Sequence, residues 1–158
     1  MQESQPTAIP AIYASTSGNT EWVVQQVASV WQAAGIQVEL HRAERTDPSV
    51  WAQHNTFLLA TSTWDHGEIN PFFKILFDAL KDIDCTGKQA AFIGMGDVRY
   101  EPVLFCGGME QLKNRWVERG GQAIGAPLKF NGEPFAKFEA VIKPWADKQL
   151  PLLQQQQS

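Results

Sequence analysis

This chain has few of the residues that would place it in several large classes. Cysteine occurs only twice in 158 residues, as Cys85 and Cys106. That is too few for a disulfide framework and fits a reducing cytoplasm, the expected location. Histidine occurs three times, and His41, His54, His66, Cys85 and Cys106 form no zinc-site spacing, so no metal site is expected. Lys and Arg total 13 against 17 Asp and Glu, a formal net charge of −4. Without clustered positive charge a nucleic-acid partner is disfavoured, whereas a basic protein partner is not. No apolar run approaches the ~20 residues of a membrane span. The opening MQESQPTA has neither a basic start nor an apolar stretch, so it is expected to be a short tail and not a secretory signal.

What the chain does have is an alternation of apolar runs and helical patterns. Strands are expected at Ala8–Ala14, Ile36–Leu40, Thr56–Ser62, Gln89–Gly96 and, interrupted, at Ala123–Phe130. Between them, Glu21–Ala34 has Trp22, Val23, Val27, Val30 and Trp31 at helical spacing and ends at Gly35. Asn70–Leu80 opens with an Asn cap followed by Pro71. Further helices are expected at Gly107–Arg119 and from about Pro134 towards Leu150, the latter kinked at Pro144. Strand and helix alternating in this way predict one α/β domain over 1–158, with a five-stranded parallel sheet, helices on both faces, and tails at 1–7 and 151–158. In such sheets ligands bind beyond the carboxyl ends of the strands, where the strand order switches.

Three segments fall on that edge. Ser15, Thr16, Ser17, Gly18, Asn19 and Thr20 join a strand to a helix N-terminus, a place where free N–H groups and the helix dipole favour an anion. Asn19 stands where a Walker loop would need its lysine, so the loop predicts an anchor for a phosphate that does not react. Ser62–Glu68 (STWDHGE) places Trp64 beside a buried strand's end. Gly94–Gly108 (GMGDVRYEPVLFCGG) supplies a second aromatic, Tyr100, and two such rings on one edge suggest a planar group between them. Other chemistries lack their residues. Neither cysteine has an arginine six positions on, no G-x-S-x-G is present, and the first and third strands end without the carboxylates of a receiver domain.

STSGNT, STW and GMGDVRYEPVLFCGG, in this order, resemble the flavodoxin family in its short-chain form, over about Ile9–Trp145 and including LKFNGEP before the last helix. The resemblance implies a flavodoxin-like three-layer sandwich of strand order 2-1-3-4-5, a fold for which FMN at the switch point is a well-known case. It implies FMN as cofactor, with Ser15, Thr16, Ser17, Gly18, Asn19 and Thr20 around the phosphate and Trp64 and Tyr100 covering the ring. Ser62, Thr63, Asp65, Gly67, Gly96, Asp97, Phe105 and Cys106 complete the implied cofactor-binding set, with backbone groups near Asp97 and Cys106 at the pyrimidine edge. No residue is expected to be catalytic, because the redox chemistry belongs to the flavin.

The implied role is a monomeric carrier of single low-potential electrons between a basic-faced reductase and an acceptor such as a cytochrome P450 or nitrogenase. The alternatives are an FMN-dependent NAD(P)H oxidoreductase and a helper protein of a biosynthetic enzyme. Asp65, Glu68, Asp97 and Glu101 against Arg99 predict an acidic rim, and Asp65 stands where the family commonly has glycine. A peptide turn at positive φ costs a residue with a Cβ ~1 kcal/mol more than glycine, and Asp65 is expected to meet part of that cost unless the turn falls at His66-Gly67 instead.

Overall fold

The computed structural model describes residues 8–64, 68–96 and 106–157. The strands are β1 (Ile9–Ala14), β2 (Val38–Arg42), β3 (Thr56–Trp64), β4 (Glu68–Ile69), β5 (Gln89–Gly96), β6 (Gln122–Ala123) and β7 (Leu128–Asn131). The α-helices are α1 (Asn19–Ala33), α2 (Val50–Gln53), α3 (Lys74–Ala79), α4 (Gly107–Glu118) and α5 (Lys143–Gln157). The sheet runs β2-β1-β3-β5-β6, with β7 also pairing with β5. Its strands are parallel throughout, except that the short β4 turns back antiparallel onto the end of β3. β6 and β7 are two halves of one interrupted edge strand, so the order is the expected 2-1-3-4-5.

Alternation along the strands sorts the core into two layers. Ile9, Ala11 and Tyr13 of β1 and Leu58 and Ala60 of β3 pack with Val23, Val27 and Trp31 of α1 and Ile142, Ala146 and Leu153 at the end of the chain. Ile12, Ala14, Phe57 and Leu59 face the other way, onto Trp51, Leu76, Met109, Leu112 and Trp116. Phe57 to Ala60 are all fully buried because both sheet faces are covered, which explains the unbroken apolar run. Trp31, Trp51, Trp116 and Trp145 each donate their indole N–H to a backbone carbonyl, of Ala146, Leu76, Gln122 and Ala126 respectively, at 2.8–3.0 Å. The rings thus fill the core without leaving a buried donor unsatisfied.

Several boundaries differ from the sequence reading. β2 begins at Val38 instead of Ile36. Gly35 has φ +93°, and the N–H groups of Gly35 and Ile36 return to the carbonyls of Gln32 and Trp31, both at 3.0 Å. Ile36 is therefore consumed in a Schellman closure of α1, and its buried side chain caps that helix. The Asn70 helix forms as a 3₁₀ turn (Pro71–Phe73), α3 and a second 3₁₀ turn (Leu80–Asp82), with the Asn70 side chain accepting from the Phe72 N–H at 2.9 Å. The short α2, which the periodicity did not suggest, follows an Asx turn in which the Ser49 N–H donates to Asp47 Oδ1 at 2.8 Å.

The last helix starts and ends later than expected. A π-helical turn, Phe138–Ile142, leads into α5, which continues to Gln157. The Lys143 N–H closes the π-helical turn onto the Phe138 carbonyl, and Pro144, which has no N–H to continue that ladder, follows it directly, so the discontinuity is the wide turn before it. Residues expected as tail continue the helix because Leu153 is buried in the core. No helix among the described residues is long and apolar enough to cross a membrane.

Candidate functional site

β1 ends at Ala14 and delivers the chain into the hydroxyl-rich turn. Ser15 is buried, and its Oγ accepts the Gly18 N–H at 3.0 Å. Gly18 is the N-cap of α1 at φ +90°, ψ −10°, a left-handed conformation that a residue with a Cβ adopts only at a cost. A Cβ built there would meet nothing within 4 Å, so the turn selects glycine for its backbone angles and not for space. The Trp22 N–H closes the first helical bond onto the Gly18 carbonyl at 3.0 Å. The N–H groups of Asn19, Thr20 and Glu21 precede that bond and have no intrahelical partner.

These residues open onto a cleft of about 720 Å³, lined by Thr16, Ser17, Asn19, Thr20, Ser62, Thr63, Met95, Gly96, Gly132 and Glu133. Its walls come from the carboxyl ends of β1, β3, β5 and β7 and from the loops that follow them. That volume falls within the ~300–1,000 Å³ of small-molecule sites. Among the described residues the lining includes no lysine or arginine; its only formal charge is the Glu133 carboxylate.

Buried polar contacts support the wall formed by β3. Asn70 is fully buried, and its Nδ2 donates to Ser62 Oγ at 2.7 Å while its Oδ1 takes the Phe72 N–H. One side chain thereby caps the next helical segment and orients a cleft hydroxyl. Thr63 Oγ1 accepts the Gly108 N–H at 3.3 Å, tying the start of α4 to the end of β3. A Cβ at Gly108 would stand 3.1 Å from the Glu68 carbonyl and 3.2 Å from the Ser62 carbonyl, so glycine permits this approach. On the opposite wall the Gly132 N–H donates to the Gly96 carbonyl at 2.8 Å, with Gly132 at φ +79°.

The predicted residues divide accordingly. Thr16, Ser17, Asn19, Thr20, Ser62, Thr63 and Gly96 line the cleft, while Ser15 and Gly18 shape the turn beneath it. Cys106 does not line the cleft among the described residues: it is fully buried in the layer between the sheet and α4, at φ 56° as the N-cap of that helix. Burial pushes its thiol up to about 12, away from the thiolate form that a nucleophilic cysteine needs. The backbone of Trp64 lies in β3, paired with Glu68. Asp65, Gly67, Asp97, Tyr100 and Phe105 lie outside the described residues, and so does the Trp64 side chain. The sequence reading did not single out Met95, Asn70, Gly132 or Glu133. Asn70 had been assigned only a capping role, and the signal for the Gly132–Glu133 wall was the N-G-E turn after the last strand.

Strand order and cleft define the class: a doubly wound α/β protein with a donor-rich turn at the switch point of its sheet. The family model described as flavodoxin matches residues 12–145. A flavodoxin of Maridesulfovibrio salexigens is 35% identical over 78% of this chain and 85% of its own length. The crystal structure of oxidised flavodoxin 2 from Bacillus cereus superposes with a TM-score of 0.83 at 30% identity, covering 92% of this chain and 99% of the other. A structure of Fusobacterium nucleatum flavodoxin bound to flavin mononucleotide shares the fold, with a TM-score of 0.74 at 18% identity over 89% of this chain and 95% of the other. The chain belongs to the flavodoxin family.

Proposed function

We propose that this protein binds FMN in the cleft and carries single electrons between a reductase and an acceptor enzyme. The observation that carries this reading is the cleft's donor set. Thr16, Ser17, Asn19 and Thr20 stand at the start of a 15-residue helix and offer hydroxyls, an amide and free N–H groups, without a cation among the described lining. A phosphate that is to be held, and not transferred, is satisfied by such donors and by the helix dipole. Phosphoryl transfer would require a charge-neutralising group. FMN fits this chemistry, because its terminal phosphate is an anchor while its ring does the work. Bound FMN supplies one-electron redox chemistry.

The chain's own residues bind and orient. Ser15 and Gly18 hold the turn open, Asn70 fixes Ser62, and Thr63 joins the end of β3 to α4. The Glu133 carboxylate and the neutral lining keep the site from accumulating positive charge. That disfavours adding an electron to a bound ring and keeps the potential low. In this reading Trp64 and Tyr100 cover the ring, and Asp65, Gly67, Asp97 and Phe105 contribute to its surroundings. The donor is a basic-faced reductase, and the carrier works as a cytoplasmic monomer.

Titration of the apoprotein with FMN, riboflavin and FAD tests the reading. FMN is expected to bind far more tightly than the other two. Riboflavin binding as tightly as FMN would overturn the phosphate assignment. Oxidation of NADPH by the FMN-loaded protein alone would overturn the carrier assignment in favour of an oxidoreductase.

A further inference from the structure

Glu21 occupies the third position of α1, counting from the Gly18 N-cap. A glutamate at this position ordinarily folds back to accept the N-cap N–H, and its charge is drawn to the positive end of the helix. Here that would bring a carboxylate to the N–H groups facing the cleft. It does not happen: α1 has no side-chain cap hydrogen bond, and the Gly18 N–H is taken by Ser15 Oγ instead. The Glu21 carboxylate is drawn sideways. Its Oε2 accepts the Tyr13 hydroxyl at 2.6 Å and lies 3.1 Å from Arg42 Nη2.

Neither partner is an incidental surface contact. Tyr13 is a β1 residue, 6% exposed, that packs in the core layer under α1. Arg42 ends the neighbouring β2, with its guanidinium 5.8 Å from the centre of the Tyr13 ring and its other nitrogen 3.6 Å from Glu44. The restraint is therefore anchored in the sheet, while Glu21 sits on the helix that forms the anion site.

We propose that Tyr13 and Arg42 are positioning residues that hold the Glu21 carboxylate away from the open N–H groups of α1, so that the chain's own acid does not compete with the ligand's phosphate. Ser15 completes the arrangement by satisfying the N–H that a capping glutamate would have taken. With no lysine or arginine among the described lining residues this matters more than usual, since phosphate and carboxylate would compete for the same few neutral donors. The inference rests on reading the cleft as a phosphate site.

A double-mutant cycle in the full chain tests it, with FMN and riboflavin as probes and flavin fluorescence as the readout. Tyr13→Phe with Arg42→Gln releases Glu21 and is expected to weaken FMN by about tenfold, while riboflavin, which has no phosphate, changes little. Adding Glu21→Gln is expected to restore FMN affinity, and to do so by a much larger factor than Glu21→Gln produces in the wild type. If the double release variant does not fold, Arg42→Gln with and without Glu21→Gln carries the same comparison. An equal effect of Glu21→Gln in both backgrounds, or equal losses of FMN and riboflavin on release, would overturn the proposal. Wild-type protein that binds FMN no more tightly than riboflavin would overturn the phosphate reading beneath it, a result separable from failure of the cycle.

Discussion

At the scale of single residues, the cleft works through small polar groups placed by backbone geometry. Thr20 is 1% exposed and still lines the cleft. Thr20→Val removes its hydroxyl at nearly constant volume. The expected loss is ~1.5–3 kcal/mol of FMN binding with little change for riboflavin, measured by parallel titrations. Two buried acids link stability to alkaline pH. Burial pushes Cys106 from 9.0 up to about 12, and burial together with the Glu21 hydrogen bond pushes Tyr13 from 10.0 up to about 12. The unfolded chain releases these protons first, so the stability they contribute is present below pH 9 and is lost as pH rises towards 12. Urea midpoints at pH 8, 10 and 11 should fall in that order, and Tyr13→Phe should flatten part of the decline. A midpoint that stays constant to pH 11 would contradict the placement of both groups.

At the scale of elements, the end of the chain is the clearest case of packing overriding composition. Residues 151–158 have the polar, glutamine-rich make-up of a tail, yet α5 continues to Gln157 with Pro151 inside it. Leu153 is 1% exposed and packs in the same layer as Trp31, Ile142 and Ala146. Leu153→Ala is expected to lower unfolding stability by ~2–5 kcal/mol, as for other buried leucines. A loss below about 0.5 kcal/mol, the ordinary range for surface positions, would mean that this last turn is not docked. The approach of α4 to β5 has a similar sequence cause that only the structure shows. A Cβ on Gly94 would lie 2.7 Å from Met109 Cβ and 3.0 Å from Cys106 Cβ, so glycine in the strand lets the helix sit close.

At the scale of the whole molecule, charge governs encounter more than fold. The net charge is −4, and Glu68 on β4 is exposed beside the end of β3 that forms one cleft wall. Under the proposed carrier role, this charge predicts that a basic-faced reductase is steered towards the cleft by long-range attraction. Raising ionic strength from low to physiological should slow association with such a reductase, and Glu68→Lys should slow it further, as followed by stopped-flow reduction of the bound flavin. An association rate unchanged across that salt range would argue against electrostatic steering.

The alternation of β1, β3 and β5 with helices, the Gly18 turn and its hydroxyls were legible in the sequence because they depend on local causes. Those causes are apolar runs buried on both faces, a glycine for a left-handed cap, and small polar residues at a helix start. The end of β1 and the first turn of α1 lie close together in the chain, so nine of the cleft-related residues could be placed without coordinates: Ser15 to Thr20, Ser62, Thr63 and Gly96. What the sequence could not specify depends on neighbours distant in the chain. Asn70 reaches Ser62 only because β4 folds back onto β3, and Glu133 enters the cleft only because β7 lies beside β5. The same holds for Tyr13, Glu21 and Arg42, which lie on β1, α1 and β2 and meet only through the pairing of those elements. Sequence determined the elements, since propensity and periodicity act over a few residues. Tertiary structure decided which side chains share the cleft, since that depends on the strand order and register joining segments far apart in the chain.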